Sequence, residues 1–440
     1  MPTSLVAPAT AARTRSAGLV ITLCWLIVVF DGYDLIVYGT TLPPLLAEPG
    51  WDLTPATAGT IGSLAFVGML VGALAAGNLA DRLGRRRTIL GCVAWFSVFT
   101  ALCAVATSPE LFGVLRLLAG LGLGGLIPSA NALTSEFVRD RARSAVSTIM
   151  MSGVPIGGSL AALIGLVLIP AAGWRPMYAV AFLAVLVVLP VAWFLMPESP
   201  AWLRAHGRPD EAQRIEARYG IVVARSEKRD VHRPRITTLL RAPFALATAL
   251  FALASIATLF AWYGLGTWLP KLMASDQRFE LGDPLGFLLA LNIGAVLGSV
   301  ATAYAATKIG PLRSAIGAAA AAAVGLAFLL TYPSTLAPIY AALILAGVGT
   351  HGTQCLIIAA VANHYPPQLR GTSLGFALGA GRIGAVAAPQ VGGLLLGAGL
   401  GVGSNFLAFA AAAGLAAALL FLTLVATKPT KPASAPALVH

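Results

Sequence analysis

The chain has 440 residues, of which 58% are hydrophobic and only 10% charged, with a formal net charge of +12 and a mean hydropathy of +0.84. That composition excludes a soluble globular chain and a disordered one, and it points to a polytopic membrane protein. The positive excess falls where membrane topology needs it, so no nucleic-acid partner is called for.

Apolar stretches of about 20 residues, the length that crosses roughly 30 Å of hydrocarbon, occur twelve times. They predict helices at 18–41, 56–80, 88–107, 110–134, 144–168, 174–196, 244–269, 284–307, 312–331, 336–360, 371–396 and 403–426. The expected fold is all-α, with six-helix halves at 18–196 and 244–426, a linker at 197–243, and tails at 1–17 and 427–440. The N-terminus has no basic segment followed by a short apolar core and a small-residue cleavage site, and the first helix is too long for such a core, so it is expected to be retained.

The first helix carries Asp31 and Asp34 in an otherwise uncharged apolar segment. A charge at bilayer depth costs roughly 2.5 to 3.5 kcal/mol on insertion scales, so such residues usually face a bundle interior and serve function. Positions i and i+3 share a helix face, which directs both carboxylates towards one cavity and makes them candidates for proton coupling. Tyr33 and Tyr38 on the same helix are candidates for lining an apolar pocket, although Tyr and Trp near helix ends also form interfacial belts.

Arg82, Arg85, Arg86 and Arg87 follow the second helix, and Arg139, Arg141 and Arg143 follow the fourth. Short loops rich in Lys and Arg stay in the cytoplasm, so both termini are expected there. The opposite loops carry only Arg175, Lys271 and Arg278, the last two accompanied by Asp276, Glu280 and Asp283.

Arg116 in the fourth helix and Arg382 in the eleventh are the two basic residues well inside predicted spans. At ~1.5 Å rise per residue, Arg116 lies about 9 Å below the external start of its helix and Asp34 about 10 Å below the external end of the first. Similar depth predicts an Asp34–Arg116 pair, since a buried arginine with a carboxylate is far cheaper than one alone. Arg382 lies roughly 18 Å into its helix, near the midplane, where a guanidinium can fork onto a substrate carboxylate. Trp262 and Tyr263 in the seventh helix, Asn292 in the eighth, and His351 and Gln354 in the tenth complete the candidate substrate-binding set. A lone membrane-depth histidine is more often satisfied by a backbone carbonyl than functional.

Glycines 120, 122, 124 and 125 lack the Gly-Lys-Ser/Thr ending of a phosphate loop, so they predict close helix packing. Cys24, Cys92, Cys103 and Cys355 lie in apolar spans without metal or disulfide spacing, and no metal or other cofactor is expected. The linker is basic, and the stretch from Pro209 to Tyr219 predicts a short surface helix.

Two landmarks suggest internal duplication, since Gly84 and Gly310 are 226 residues apart and Arg143 and Arg370 are 227 apart. The run Gly77-Asn78-Leu79-Ala80-Asp81-Arg82-Leu83-Gly84-Arg85-Arg86-Arg87 resembles the loop 2–3 motif of the major facilitator superfamily. Pro197-Glu198-Ser199-Pro200-Ala201-Trp202-Leu203 resembles its motif after helix 6. Within that superfamily, Asp31-Gly32-Tyr33-Asp34-Leu35-Ile36-Val37-Tyr38-Gly39 is similar to the first helix of the aromatic acid:proton symporters, especially benzoate-type members. So are the glycine-rich fourth helix with Thr134-Ser135-Glu136 and the run Leu378-Gly379-Ala380-Gly381-Arg382-Ile383-Gly384.

The resemblance implies alternating access by rocking halves, with a small aromatic carboxylate and protons as partners in the lipid bilayer. A monomer is the expected state. It places Asp81, Arg82, Gly84, Arg85, Glu136 and Arg139 in a conformational gate, with Arg370 as the counterpart in the second half. Asp81 would cap a neighbouring helix or pair with Arg139 or Arg141. One departure stands out: Thr307-Lys308 replaces the acidic-basic pair that the family often repeats between helices 8 and 9. Within the superfamily, a proton antiporter that exports small organic molecules is the alternative to an importer. A non-transporting sensor or membrane enzyme has no supporting motif.

Overall fold

A computed structural model of the chain describes residues 16–139, 143–221, 236–279, 282–366 and 368–427. Twelve long helices dominate it. In the first half they are α1 Ala17–Leu46, α2 Pro55–Leu83, α3 Arg85–Val105, α4 Pro109–Glu136, α5 Arg143–Ala172 and α6 Arg175–Leu195. In the second they are α7 Ala245–Ser275, α8 Pro284–Ile309, α9 Pro311–Leu329, α10 Leu336–His364, α11 Arg370–Gly397 and α12 Gly401–Ala426. All but α11 combine the length and the hydropathy needed to cross a membrane. α11 has the length, at 28 residues, but carries more glycine and polar side chains.

The starts of these helices follow from local chemistry. Thr54, Ser108 and Asp283 each precede a proline at the first helical position, and each accepts a backbone N–H of the first turn through its side chain. Proline tolerates that position because its missing N–H would have no partner there, and the cap satisfies a donor that lipid cannot.

Predicted and observed helices differ most in three places, one being the end of α7, which runs to Ser275 past the predicted stop at residue 269. α1 continues through Pro43 and Pro44 to Leu46, beyond the predicted stop at residue 41, and the two prolines leave the Gly39 and Thr40 carbonyls without the i+4 N–H donor they would otherwise have. The predicted continuous sixth helix is irregular: it passes through a 3₁₀ turn at Val180–Phe182 and a π turn at Ala184–Val188 before Leu189–Leu195. Pro190 cannot donate to the carbonyl four residues back, and the wider turn just before it accommodates that loss. In the linker, Pro200–Ala205 and Pro209–Tyr219 are short helices, the second ending on the left-handed Gly220.

The halves repeat one packing plan. α1 packs on α5 as α7 does on α11, α2 on α4 as α8 on α10, and α3 on α4 as α9 on α10. Lipid offers no hydrophobic drive between helices, so close contact must come from small residues. A Cβ on Gly120 would lie 2.1 Å from the Ala65 carbonyl oxygen, and one on Gly124 2.1 Å from that of Met69, so the glycine run of α4 is a packing surface against α2. Gly347 of α10 meets the Leu291 carbonyl of α8 in the same way.

Between halves, α2 meets α11, α5 meets α8, and α1 meets α7. The α2–α11 seam is tight at the end away from the linker, where Gly59 abuts the Pro389 carbonyl, Gly393 the Pro55 carbonyl, and Thr60 donates to Gln390 at 2.8 Å. At the linker end of the same seam, Gly77 on α2 and Gly371, Gly375 and Gly379 on α11 have open space where a Cβ would stand. The close glycine contacts between α2 and α11 thus lie at the end away from the linker.

Candidate functional site

Asp34 and Arg116 form the pair expected from their depth. Arg116 Nη1 donates to both Asp34 carboxylate oxygens, at 2.9 and 3.0 Å, and Nη2 donates to the Asp34 carbonyl at 3.2 Å. Thr100 of α3 adds a hydroxyl bond of 2.5 Å. Asp34 has no exposed surface and Arg116 only 2%. This is a closed structural knot of α1, α3 and α4. The expectation that both aspartates face one cavity needs correction, since Asp34 is turned into its own half and its oxygens are occupied. The Arg116 guanidinium is likewise committed to Asp34 rather than presented to a ligand.

Asp31, one turn earlier, is in the opposite situation. It is fully buried, and neither carboxylate oxygen has a hydrogen-bond partner among the described residues. Its electrostatic neighbours are Asp34 and, from the other half, Arg382. Arg382 is half-buried and also acts electrostatically on Tyr263, while its Nη1 reaches Met69 Sδ of α2 at 3.8 Å. Tyr263 packs its ring against Phe66 of α2, with centroids 4.6 Å apart and the planes tilted by 54°. Met69, Phe66, Tyr263 and Arg382 therefore meet where α2 of one half faces α7 and α11 of the other, within electrostatic reach of Asp31 on α1.

The remaining candidates divide by what they touch. Tyr33 donates to the Met177 carbonyl at 2.8 Å and Tyr38 to the Ala58 carbonyl at 2.6 Å, so both hydroxyls tie α1 to neighbouring helices of its own half. Trp262 packs its ring 5.2 Å from His351. His351 Nε2 lies 3.8 Å from Cys355 Sγ. Gln354 follows one turn after His351, away from the Gly349 and Thr353 side of α10 that packs on α9, and both atoms of its buried amide lack partners among the described residues. Asn292 donates to the Leu288 carbonyl at 2.9 Å, while its unpartnered Oδ1 faces Gly158 across the α5–α8 seam.

The candidate gate residues form a network at the linker end of the first half. Gly84 sits at φ 93° and ψ 159° between α2 and α3, a conformation essentially reserved for glycine. A Cβ there would strike Glu198, whose Oε1 accepts the Arg86 and Ser199 backbone N–H groups at 3.0 and 2.8 Å. Glu136 pairs with Arg85 and accepts the Ser199 hydroxyl at 2.7 and 2.8 Å. Asp81 is exposed, and its carbonyl accepts the Trp202 indole N–H at 2.9 Å. Arg82 and Arg139 are exposed, Arg141 lies outside the described residues, and Arg370 donates to the Tyr365 carbonyl at 3.2 Å.

Residues 24–389 match the Major Facilitator Superfamily, and residues 285–438 match it a second time. The chain belongs to the major facilitator superfamily. A gentisate transporter of Corynebacterium glutamicum is 51% identical to it over 403 residues, covering 91% of this chain and 86% of that one. A benzoate transport protein of Acinetobacter baylyi is 34% identical over 92% of this chain and 88% of its own length. The 4-hydroxybenzoate transporter PcaK of Pseudomonas aeruginosa is 32% identical over 92% and 91%. Among solved structures, a partially occluded inward-open conformation of the Escherichia coli xylose transporter XylE superposes with a TM-score of 0.75 over 93% of this chain and 98% of that one. At 16% identity, that likeness is one of fold.

In this superfamily member the network around Gly84 draws on residues that sequence reasoning quoted without assigning them roles. Glu198, Ser199 and Trp202 all touch the loop between α2 and α3 or its partner Glu136. The signal was present, since an acid directly before Ser-Pro at a helix start is a ready acceptor for backbone N–H groups. Thr100 carried no such signal, because its hydroxyl meets Asp34 only through the packing of α3 beside α1.

Proposed function

We propose that the protein is a secondary transporter that imports a small aromatic carboxylate together with protons, by alternating access. The observation that carries this reading is Asp31, a buried carboxylate without a hydrogen-bond partner, set against Arg382 of the other half. It stands in a chain whose relatives are named as transporters of gentisate, benzoate and 4-hydroxybenzoate. In this reading Arg382 has two competing anions. Ionised Asp31 balances its charge across the interface without a hydrogen bond; a substrate carboxylate takes both forks of the guanidinium once Asp31 is protonated. Substrate and proton then favour the same state, which is the linkage that symport requires.

The linker end is assigned to the cytoplasm, because Arg82, Arg85, Arg86, Arg87, Arg139 and Arg143 collect there and the loops of the far end are poor in such residues. In this reading, close α2–α11 contacts confined to the end away from the linker fit an inward-open state. Trp262, Tyr263 and Phe66 supply apolar faces for a ring, and the unpartnered Gln354 amide supplies a donor and an acceptor for ring hydroxyls. The Asp34–Arg116 knot holds α1 rigid beside this centre.

The test is uptake of labelled gentisate, 4-hydroxybenzoate and benzoate into proteoliposomes with and without an imposed proton gradient, for wild type, Asp31→Asn and Arg382→Ala. Gradient-driven accumulation that is lost in both variants is expected. Accumulation of none of these acids by folded wild-type protein, or outward movement driven by an inward proton gradient, would replace the importer with an exporting antiporter.

A further inference from the structure

A cavity of about 300 Å³ lies at the linker end, between the start of α3, the end of α6 and the linker helix Pro209–Tyr219. It is away from the transport centre. Four arginines line it, Arg86, Arg87, Arg208 and Arg218, against two carboxylates, Glu198 and Glu211. Both acids are already engaged. Glu211 holds Arg208 through two bonds of 2.6 and 2.7 Å, and Glu198 accepts backbone N–H groups of Arg86 and Ser199. Arg86 reaches the Trp193 carbonyl and lies over that ring at 5.7 Å. Arg87 and Arg218 are exposed and carry no ion pair among the described residues.

The rest of the cavity is apolar, with Met196, Leu203, Ile215 and Tyr219 on its wall. On the lipid-facing surface beside it, Trp193 is 58% exposed and Phe194 79% exposed, and the apolar track continues along α6 through Val187 and Leu186. Two spare guanidiniums above a greasy track make an amphipathic recess at headgroup depth.

We propose that this recess binds an anionic phospholipid of the leaflet on the linker side. The phosphate would be held by Arg87 and Arg218, whose planar forks match phosphate oxygens, and the acyl chains would run along Phe194 and α6. Charge decides for an anionic headgroup over a zwitterionic one, and the apolar track decides for a lipid over free phosphate. A lipid so placed bridges α3, α6 and the linker helix, immediately beside the Glu198 contact to the Gly84 turn.

The full chain, purified in mild detergent with equal amounts of dioleoyl phosphatidylglycerol and dioleoyl phosphatidylcholine, is examined by native mass spectrometry. Wild type is expected to retain one phosphatidylglycerol with about tenfold preference as collision energy is raised. Arg87→Gln with Arg218→Gln should lose that preference. Arg214→Gln with Arg241→Gln removes the same charge from exposed linker positions outside the recess and should keep it. Phe194→Ser, which leaves every arginine in place, should shorten retention. The proposal fails if wild type shows no preference, if the Arg87/Arg218 variant retains it, or if millimolar inorganic phosphate displaces the lipid. The last result would make this a phosphate site. Because the readout is binding alone, it stands or falls separately from aromatic-acid transport.

Discussion

Gly84 and Gly310 hold the same place in the two halves, each between the second and third helix of its own half, and their backbones agree closely. Gly84 has φ 93° and ψ 159°, Gly310 φ 86° and ψ 154°. Their surroundings do not agree. Glu198 presses on Gly84, with the Arg85–Glu136 pair beside it, whereas a Cβ on Gly310 would meet nothing within 4 Å. The duplicated turn is what helix packing requires of both halves. Lys308 and Arg313 flank Gly310 too, but the acids built round the turn belong to the first half alone, since Asp81 and Glu198 find no acidic equivalent after Asp283. Buried charge follows the same division, with Asp31, Asp34 and Arg116 in the first half and Arg382 in the second. The second half contributes one cation, Arg382, to a centre whose acid, Asp31, comes from the first.

The largest effect is expected inside the first half. Asp34→Asn leaves the Arg116 guanidinium buried without its counter-charge, which should cost about 3 to 5 kcal/mol. Folded yield and thermal stability in detergent are the measurements, and a variant as stable as wild type would remove the structural reading of the knot. Asp31→Asn, next in size, should leave stability near wild type, since no hydrogen bond is lost, while gradient-driven uptake falls to the level of empty vesicles. Opposite outcomes at positions three residues apart would separate the charge that holds α1 from the charge that crosses between halves.

The helices and the Asp34–Arg116 pair were legible because both depend on quantities a sequence carries, namely apolar length and depth along a 1.5 Å rise. The different fates of Asp31 and Asp34 were not. A spacing of three leaves two side chains about 60° apart on one helix face, and which neighbour each meets depends on how α1 turns between α4 and α7. Tyr33 and Tyr38 show the same limit, since their hydroxyls end on carbonyls of α6 and α2 that no local pattern predicts. Gly84 was legible as a turn, and Glu198 as its partner only once the end of α6 was brought beside it.

Alanine at either glycine turn tests the difference between the halves directly. Each substitution forces a side chain into a backbone region that costs about 1 to 3 kcal/mol. At Gly310 that is the whole cost. At Gly84 the methyl group must also displace Glu198 from the Arg86 backbone, so Gly84→Ala should lower stability further and slow uptake more than Gly310→Ala. Equal effects on uptake would mean that the charged network adds nothing to the turn itself.

The smallest effects are expected at the far end, where the halves are alike. Glu48 accepts the Trp174 indole at 2.7 Å and Arg175 at 2.9 Å. Asp276 accepts Arg278, whose guanidinium lies 3.4 Å from the Tyr332 ring centroid. The Trp174 hydrogen bond, with help from Arg175, holds the Glu48 carboxyl below its usual range, and the Arg278 hydrogen bond does the same for Asp276. A depressed folded value means that each clamp contributes fully above the unfolded carboxyl values, about 4.3 for Glu and 3.9 for Asp. The contribution is then lost as pH falls through the folded value. The arginines are well exposed, so Glu48→Gln and Asp276→Asn should each cost no more than about 1 kcal/mol at neutral pH. The gap in melting temperature to wild type should narrow steadily between about pH 5 and pH 3, because wild type there loses the same charge that the variants lack. A gap that stayed constant over that interval would assign the two clamps to packing of Trp174 and Tyr332 rather than to charge. The likeness of the halves at this end would then be one of shape alone.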